Sequence, residues 1–160
     1  MSEADVSLVL AFLNTRDVEA DTDVLRSVRE WREWALDRGH RPDPLPEAVR
    51  ARDTLRALVT GTDRTPGAAR VTVDVVTTGD GAELVSRTAV AAVFAAVARL
   101  TALGRWNRIK ICPDTACRWA FYDRSRNRSR TWCSMRVCGN RAKARSFRQR
   151  GITESSPPER

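Results

Sequence analysis

The sequence predicts a mainly α fold with one small β-hairpin, an α+β chain in which an N-terminal helical domain precedes a small metal-stapled module. Three observations predict it. Apolar residues recur at helical spacing through most of the first two thirds of the chain, a valine alternation interrupts that period, and all four cysteines lie between Cys112 and Cys138. At 160 residues the chain has room for one medium and one small unit, with boundaries expected at 1–104, 105–150 and a disordered tail at 151–160.

Residues 4–14, ADVSLVLAFLN, are apolar almost all round and predict a short buried helix. Asn14 and Thr15 are expected to end it through side-chain-to-backbone hydrogen bonds. Thr22 or Asp23 can cap a second helix running to Gly39, with Val24, Val28, Trp31 and Ala35 on one face and Leu25 and Leu36 beside it. Trp31 is expected in the core. His40, the sole histidine, follows the terminal glycine, where a cation complements the helix dipole; no acidic partner or nucleophile marks it as a ligand or base. RPDPLP stiffens the turn into a third helix over 46–60, closed by Gly61. Val49, Leu55, Leu58 and Val59 supply its apolar side, and Arg50, Arg52 and Arg56 are expected to face water. After the loop TDRTPGA, Val71, Val73 and Val75 alternate, the chain turns at Gly79, Asp80 and Gly81, and it returns through Leu84 and Val85, which predicts a hairpin near 70–87. Thr88 caps a fourth helix, TAVAAVFAAVARLTAL, which Gly104 ends; its alanines permit close packing, so it should lie centrally. Trp106, in the connector, predicts that the last unit docks on the helices.

Cys112 with Cys117 and Cys133 with Cys138 each enclose four residues, and fifteen residues separate the pairs. Four thiolates delivered by two such loops fit one tetrahedral zinc ion, although iron or an iron–sulfur cluster also takes four thiolates. A segment of about forty residues cannot fold on apolar burial alone and needs a staple. No basic-then-apolar leader precedes the first helix, so a reducing cytoplasm is expected, which favours metal over disulfides. IKI leads into the first pair, WAFY after it reads as a short strand, and Thr131 and Trp132 as a second one. Ser134 can cap a helical turn, and GNRAKARSFRQR should form a helix until Gly151. Knuckle, hairpin and a helix carrying the last ligand near its start make a treble-clef-like zinc finger.

Charge is divided unevenly. Residues 1–103 hold 13 Arg against 16 Asp plus Glu, whereas 104–150 hold 14 Lys plus Arg against Asp114 and Asp123, an excess of +12 that exceeds the whole-chain +8. A polyanion would select such a face. Arg124, Arg126, Arg128 and Arg130 alternate with Ser125, Asn127 and Ser129, and an extended loop would aim all four guanidinium groups one way. Arg141, Arg145 and Arg148 form a helical stripe, with Lys143 and Arg150 on an adjoining face. Arg118 and Arg136 lie inside the ligand loops, where they can neutralise thiolates. Asn140 with Arg141 and Arg145 could read base edges in a major groove, but for Asn140 a bond to neighbouring backbone is the preferred reading.

WCSMRVCGNRAKAR, preceded by the CxxxxC knuckle and DRSRNRSR, resembles the C-terminal zinc finger of the CGNR family, named for the tetrapeptide that stands here as Cys138, Gly139, Asn140 and Arg141. The opening Leu8, Leu10, Phe12, Leu13, Asn14 and Thr15 resembles the LxLxFLNT start of the ABATE domain that members join to this finger, with Ala11 where the family often carries an acid. The resemblance implies zinc, DNA binding and a role as a stress-induced transcription regulator. A cytoplasmic, nucleoid-associated DNA-binding regulator is therefore the leading expectation, its helical domain forming a homodimer or meeting a small-molecule or protein effector. An RNA-binding or ribosome-associated module and a protein-interaction adaptor are the alternatives. No enzyme is expected, because four thiolates close the metal site and no Ser–His–acid set or phosphate-cradling glycine loop is present. No membrane partner is expected either, since the longest apolar run, AVAAVFAAVA, is too short to span a bilayer.

Overall fold

The computed structural model describes residues 2–62 and 70–153. Nearly all of the TDRTPGA loop and the tail beyond 153 lie outside the described residues.

Helix α1 (Ser2–Leu13) buries Val6, Val9, Phe12 and Leu13 and packs along helix α4 (Ala89–Ala102). Its buried Asp5 is gripped by Arg99 of α4, with Nε at 3.2 Å from one carboxylate oxygen and Nη2 at 2.6 Å from the other. Thr15 closes α1 as expected, its hydroxyl donating to Phe12 O at 2.8 Å.

A two-residue ribbon follows, β1 (Arg16–Asp17) antiparallel to β2 (Thr22–Asp23). Asp23 caps a 3-10 turn, Val24–Arg26, by accepting from Leu25 N at 2.9 Å. The second helix does not start there. Ser27 is extended (φ −127°, ψ 123°) and recaps the chain, so that α2 spans Val28–Leu36. A serine hydroxyl competing for backbone N–H groups interrupts the continuous helix that periodicity predicts. The interruption rotates the face: Leu25, Trp31 and Ala35 are buried, but Val28 is 68% and Leu36 52% exposed. Trp31 is core, as expected, packed 5.2 Å from Trp34 and 6.0 Å from Phe12, with Nε1 donating to Asp43 O at 2.9 Å.

Helix α3 (Leu45–Thr60) carries Pro46 in its first turn and stops at Gly61, whose φ of 67° suits a residue without Cβ. Two of its three arginines do not face water. Arg52 is 3% exposed and binds Asp23 at 2.5 Å and Thr15 at 3.3 Å; Arg56 is half-buried. The partners that draw Arg52 inward come from segments far away in sequence, which a helical wheel cannot include. Arg50 is exposed, as expected, but so is Leu58.

The hairpin forms as predicted, β3 (Asp74–Thr78) against β4 (Gly81–Val85), with Thr78 opposite Gly81. Val75, Val76, Leu84 and Val85 remain exposed, so it stands off the core. Helix α4 is capped twice: Thr88 Oγ1 accepts from Ala91 N at 3.4 Å and Asp43 Oδ2 from Val90 N at 2.8 Å. Its buried Ala89, Val93, Ala96 and Leu100 lie in the main core, as expected for a central helix.

Past Gly104, a 3-10 turn (Trp106–Arg108) leads into β5 (Ile109–Ile111), which pairs with β6 (Ala120–Tyr122). Ile109, Ile111 and Ala120 belong to the same buried cluster as α1, α3 and α4, and Trp106 packs against it. A π-helical turn (Met135–Gly139) then opens helix α5 (Asn140–Thr153), which runs past the glycine at 151. Thr131 and Trp132 form no strand. Carbonyls that a ladder would use are taken by side chains: Lys110 Nζ donates to Arg128 O at 2.6 Å and Arg130 O at 2.8 Å, and Arg130 donates to Trp132 O and Cys133 O. Among the described residues no helix is long and apolar enough to cross a membrane.

Candidate metal centre and basic face

The first two ligands are held by a backbone knuckle. Cys112 N donates to Trp119 O at 2.9 Å, continuing the β5–β6 pairing, and Asp114 O accepts from both Cys117 N and Arg118 N at 2.9 Å. Arg118 takes φ 55° to complete the turn. On the other side, Ser134 caps the π-turn, its hydroxyl accepting from Val137 N at 3.3 Å and its carbonyl from Gly139 N at 3.1 Å, which presents Cys133 and Cys138 from the two ends of one short segment. A Cβ on Gly139 would lie 2.5 Å from Met135 Sδ, so a side chain there would have to displace the end of that exposed methionine.

All four sulfurs lie within 4.8 Å of one another, with Cys117–Cys133 at 3.5 Å and Cys133–Cys138 at 3.6 Å. A disulfide would need about 2.05 Å. A tetrahedron of thiolates around zinc, at about 2.3 Å per bond, has edges of about 3.8 Å, so these separations fit the ion. Cys112, Cys117 and Cys138 are buried, and Phe121 and Trp132 pack around them. Burial pushes the Cys138 thiol up to about 12 and, reinforced by the neighbouring thiols, drives Cys133 far up. For Cys112, burial is outweighed by hydrogen bonds from the Cys133 and Asp114 backbones and its thiol neighbours, leaving it lowered. Four thiolates, three of them buried, cannot share this space without a cation, and a divalent ion supplies the missing charge.

The cysteines thus form a zinc-binding site of the structural kind, with four protein sulfurs and one ion. Residues 108–151 match the family model described as CGNR zinc finger. A comparison with curated proteins finds no match.

Around this site the basic residues divide into two groups. The loop after β6 is organised by Asp123, which is fully buried and accepts from Lys110 Nζ (2.6 Å), Ser125 Oγ (2.6 Å), Ser125 N (2.9 Å) and Arg130 N (3.0 Å). Burial alone would raise its pKa; those donors outweigh it and hold the carboxyl far below the usual range. The loop therefore curls, with Arg128 at φ 53°, and the extended alternation of four arginines does not form. Arg130 folds back on the Trp132 and Cys133 carbonyls and lies 5.0 Å over Phe121, while Arg124 meets Glu3 and Tyr122. Arg126 and Arg128 are exposed without an acidic partner among the described residues.

On α5, Arg141 pairs with Glu19 at 2.5 Å, and Arg145 with Asp114 at 3.2 Å. Lys143 and Arg148 are exposed and have no acidic partner among the described residues. Asn140 donates to Arg136 O at 2.9 Å, the backbone role preferred for it. Asp114, which with Pro113 favours a tight turn after the first ligand, has a second role in the structure. Its buried carboxylate ties the first knuckle to α5 through Arg145 and, at 3.7 Å, Arg141. A lone acid two residues after the first ligand, in a region of cations, was the available signal. Asn14, expected to end α1, instead donates its amide N–H to Ala120 O (2.9 Å) and accepts from Ala120 N (2.8 Å), acting as an added strand residue beside β6. Arg56 Nη2 likewise donates to Arg118 O at 2.7 Å. Burial and the nearby Arg118 and Arg52 lower its pKa.

Proposed function

We propose that the chain is a non-catalytic, DNA-binding transcription regulator whose zinc finger, treble-clef-like in having Cys138 just ahead of α5, offers a cationic face to the phosphate backbone. The observation that carries this reading is the +12 excess over residues 104–150, of which Arg126, Arg128, Lys143 and Arg148 are exposed with no acidic partner among the described residues. The internal pairing of Arg124, Arg130, Arg141 and Arg145 supports a smaller set of phosphate contacts than the sequence suggests. If those four exposed cations each neutralise one phosphate, log K against log salt should fall with a slope of about −3.6 on duplex DNA.

The test is fluorescence anisotropy of the zinc-loaded chain on duplex DNA and on a structured RNA hairpin across a salt series. The expected result is tighter DNA binding with that slope, flattened when Arg126, Arg128, Lys143 and Arg148 are all changed to Ala. Displacement by the RNA hairpin at lower concentration than by duplex would move the reading to an RNA-binding module. Absence of binding to either at low salt would sink it and leave a protein-interaction adaptor.

A further inference from the structure

A cavity of about 940 Å³ opens between the first half of α3, the start of α4 and the segment leading into β3, a volume in the range of small-molecule sites. Its floor is apolar, formed by Ala51, Val90 and Ala91, all buried, with Val71 partly buried beside them. Its rim carries Arg41, Arg50, Arg70 and Arg87. Three acids also line it, but two are engaged: Asp74 with Arg87 at 3.2 Å, and Asp43 with the Val90 N–H at 2.8 Å. Among the described residues no ion pair joins Glu47 to Arg41, Arg50 or Arg70, which are exposed and without an acidic partner.

This convergence runs against the charge of its surroundings. Residues 1–103 carry 13 Arg against 16 acids, so partners for three cations are not scarce; elsewhere in the same region Arg52 and Arg99 are closely paired. Guanidinium groups gathered over an apolar floor are suited to an anion that carries an apolar body, since each can give paired hydrogen bonds to carboxylate or phosphate oxygens while the floor removes hydrocarbon from water. The hydroxyls of Thr54 and Thr72 add donors on the wall.

We propose that this cavity binds a small organic anion, a carboxylate or phosphate monoester with an apolar body, the head held by Arg41, Arg50 and Arg70 and the body on Ala51, Val71, Val90 and Ala91. The site is separate from the nucleic-acid reading and stands or falls without it. The experiment is isothermal titration of the zinc-loaded full chain with benzoate, octanoate and phenyl phosphate, with benzyl alcohol and octanol as uncharged counterparts. At least one anion is expected to bind saturably, its alcohol counterpart not, and Arg50→Gln with Arg70→Gln should weaken that binding by about tenfold or more. Arg41→Gln, made alone, gives a second reading, and the circular dichroism of each exposed-arginine variant should match the parent. Failure of all three anions to saturate, equal binding of the alcohols, or affinity unchanged in both variants overturns the proposal.

Discussion

Helix α4 buries Ala89, Val93, Ala96 and Leu100 in one cluster with Phe12 and Trp31, whereas beyond Ile111 the side chains buried among the described residues are Cys112, Asp114, Cys117, Ala120, Phe121, Asp123 and Cys138, of which Ala120 alone joins that cluster. In the helical region, apolar area removed from water supplies the stabilisation and polar groups serve as caps and pairs at its margin. In the cysteine region the polar groups are the framework: a metal gathers the sulfurs, Asp123 gathers the loop, and Lys110 and Arg130 cap backbone carbonyls that no strand takes up. The two regions are nevertheless not independent bodies, because Ile109, Ile111 and Ala120 extend the helical core into the hairpin of the finger. The difference teaches that one continuous chain can change its source of stability within a few residues.

Metal removal should separate the regions most sharply. Structural zinc contributes on the order of 10 kcal/mol to a small finger. A strong chelator should therefore abolish amide protection across residues 112–140 while α1 and α4 stay protected, as read by hydrogen exchange. Simultaneous loss in α4 would make the whole chain one cooperative unit and break the comparison. Phe12→Ala acts from the other side. It should cost about 3–5 kcal/mol in urea unfolding, with zinc still bound before the transition.

A charged group comes next. The folded pKa of Asp123 lies below its unfolded value of about 3.9, so its stabilisation is complete well above that pH and disappears as pH falls toward the folded value. Asp123→Asn should cost about 2 kcal/mol at neutral pH, and its deficit relative to the parent should shrink below about pH 4. A deficit independent of pH would show that shape, and not charge, organises the loop. The smallest effect belongs to the joint. Asn14→Ala removes the two bonds to Ala120 and should cost about 1–2 kcal/mol, with faster exchange of the Ala120 amide; Asn14→Asp, which keeps an acceptor and loses the donor, should restore part of that protection.

The features legible in the sequence were those whose cause is local. Cysteine spacing, the Thr88 cap, the Gly61 and Gly104 stops and the Gly79–Asp80 turn each act within a few residues of themselves. Ser27 was a local signal that periodicity masked, because Val24 and Val28 fit one helical face on paper. The roles of Arg52, Arg56 and Asn14 are hidden from the sequence for another reason: their partners lie in other segments, and an arginine on a helix fits a surface pattern until those segments are brought together.

The chain's own order of residues determined that a sulfur-bound ion would organise its last third, and that the cations would collect there, since ligand type and charge are properties of residues themselves. Tertiary structure alone decided which cations remain available. Glu3 and Glu19 reach Arg124 and Arg141 only once the helices and the finger share a core, and Asp114 reaches Arg145 only once the first knuckle lies against α5, because an ion pair depends on distance in space, and distance between segments far apart along the chain is set by packing.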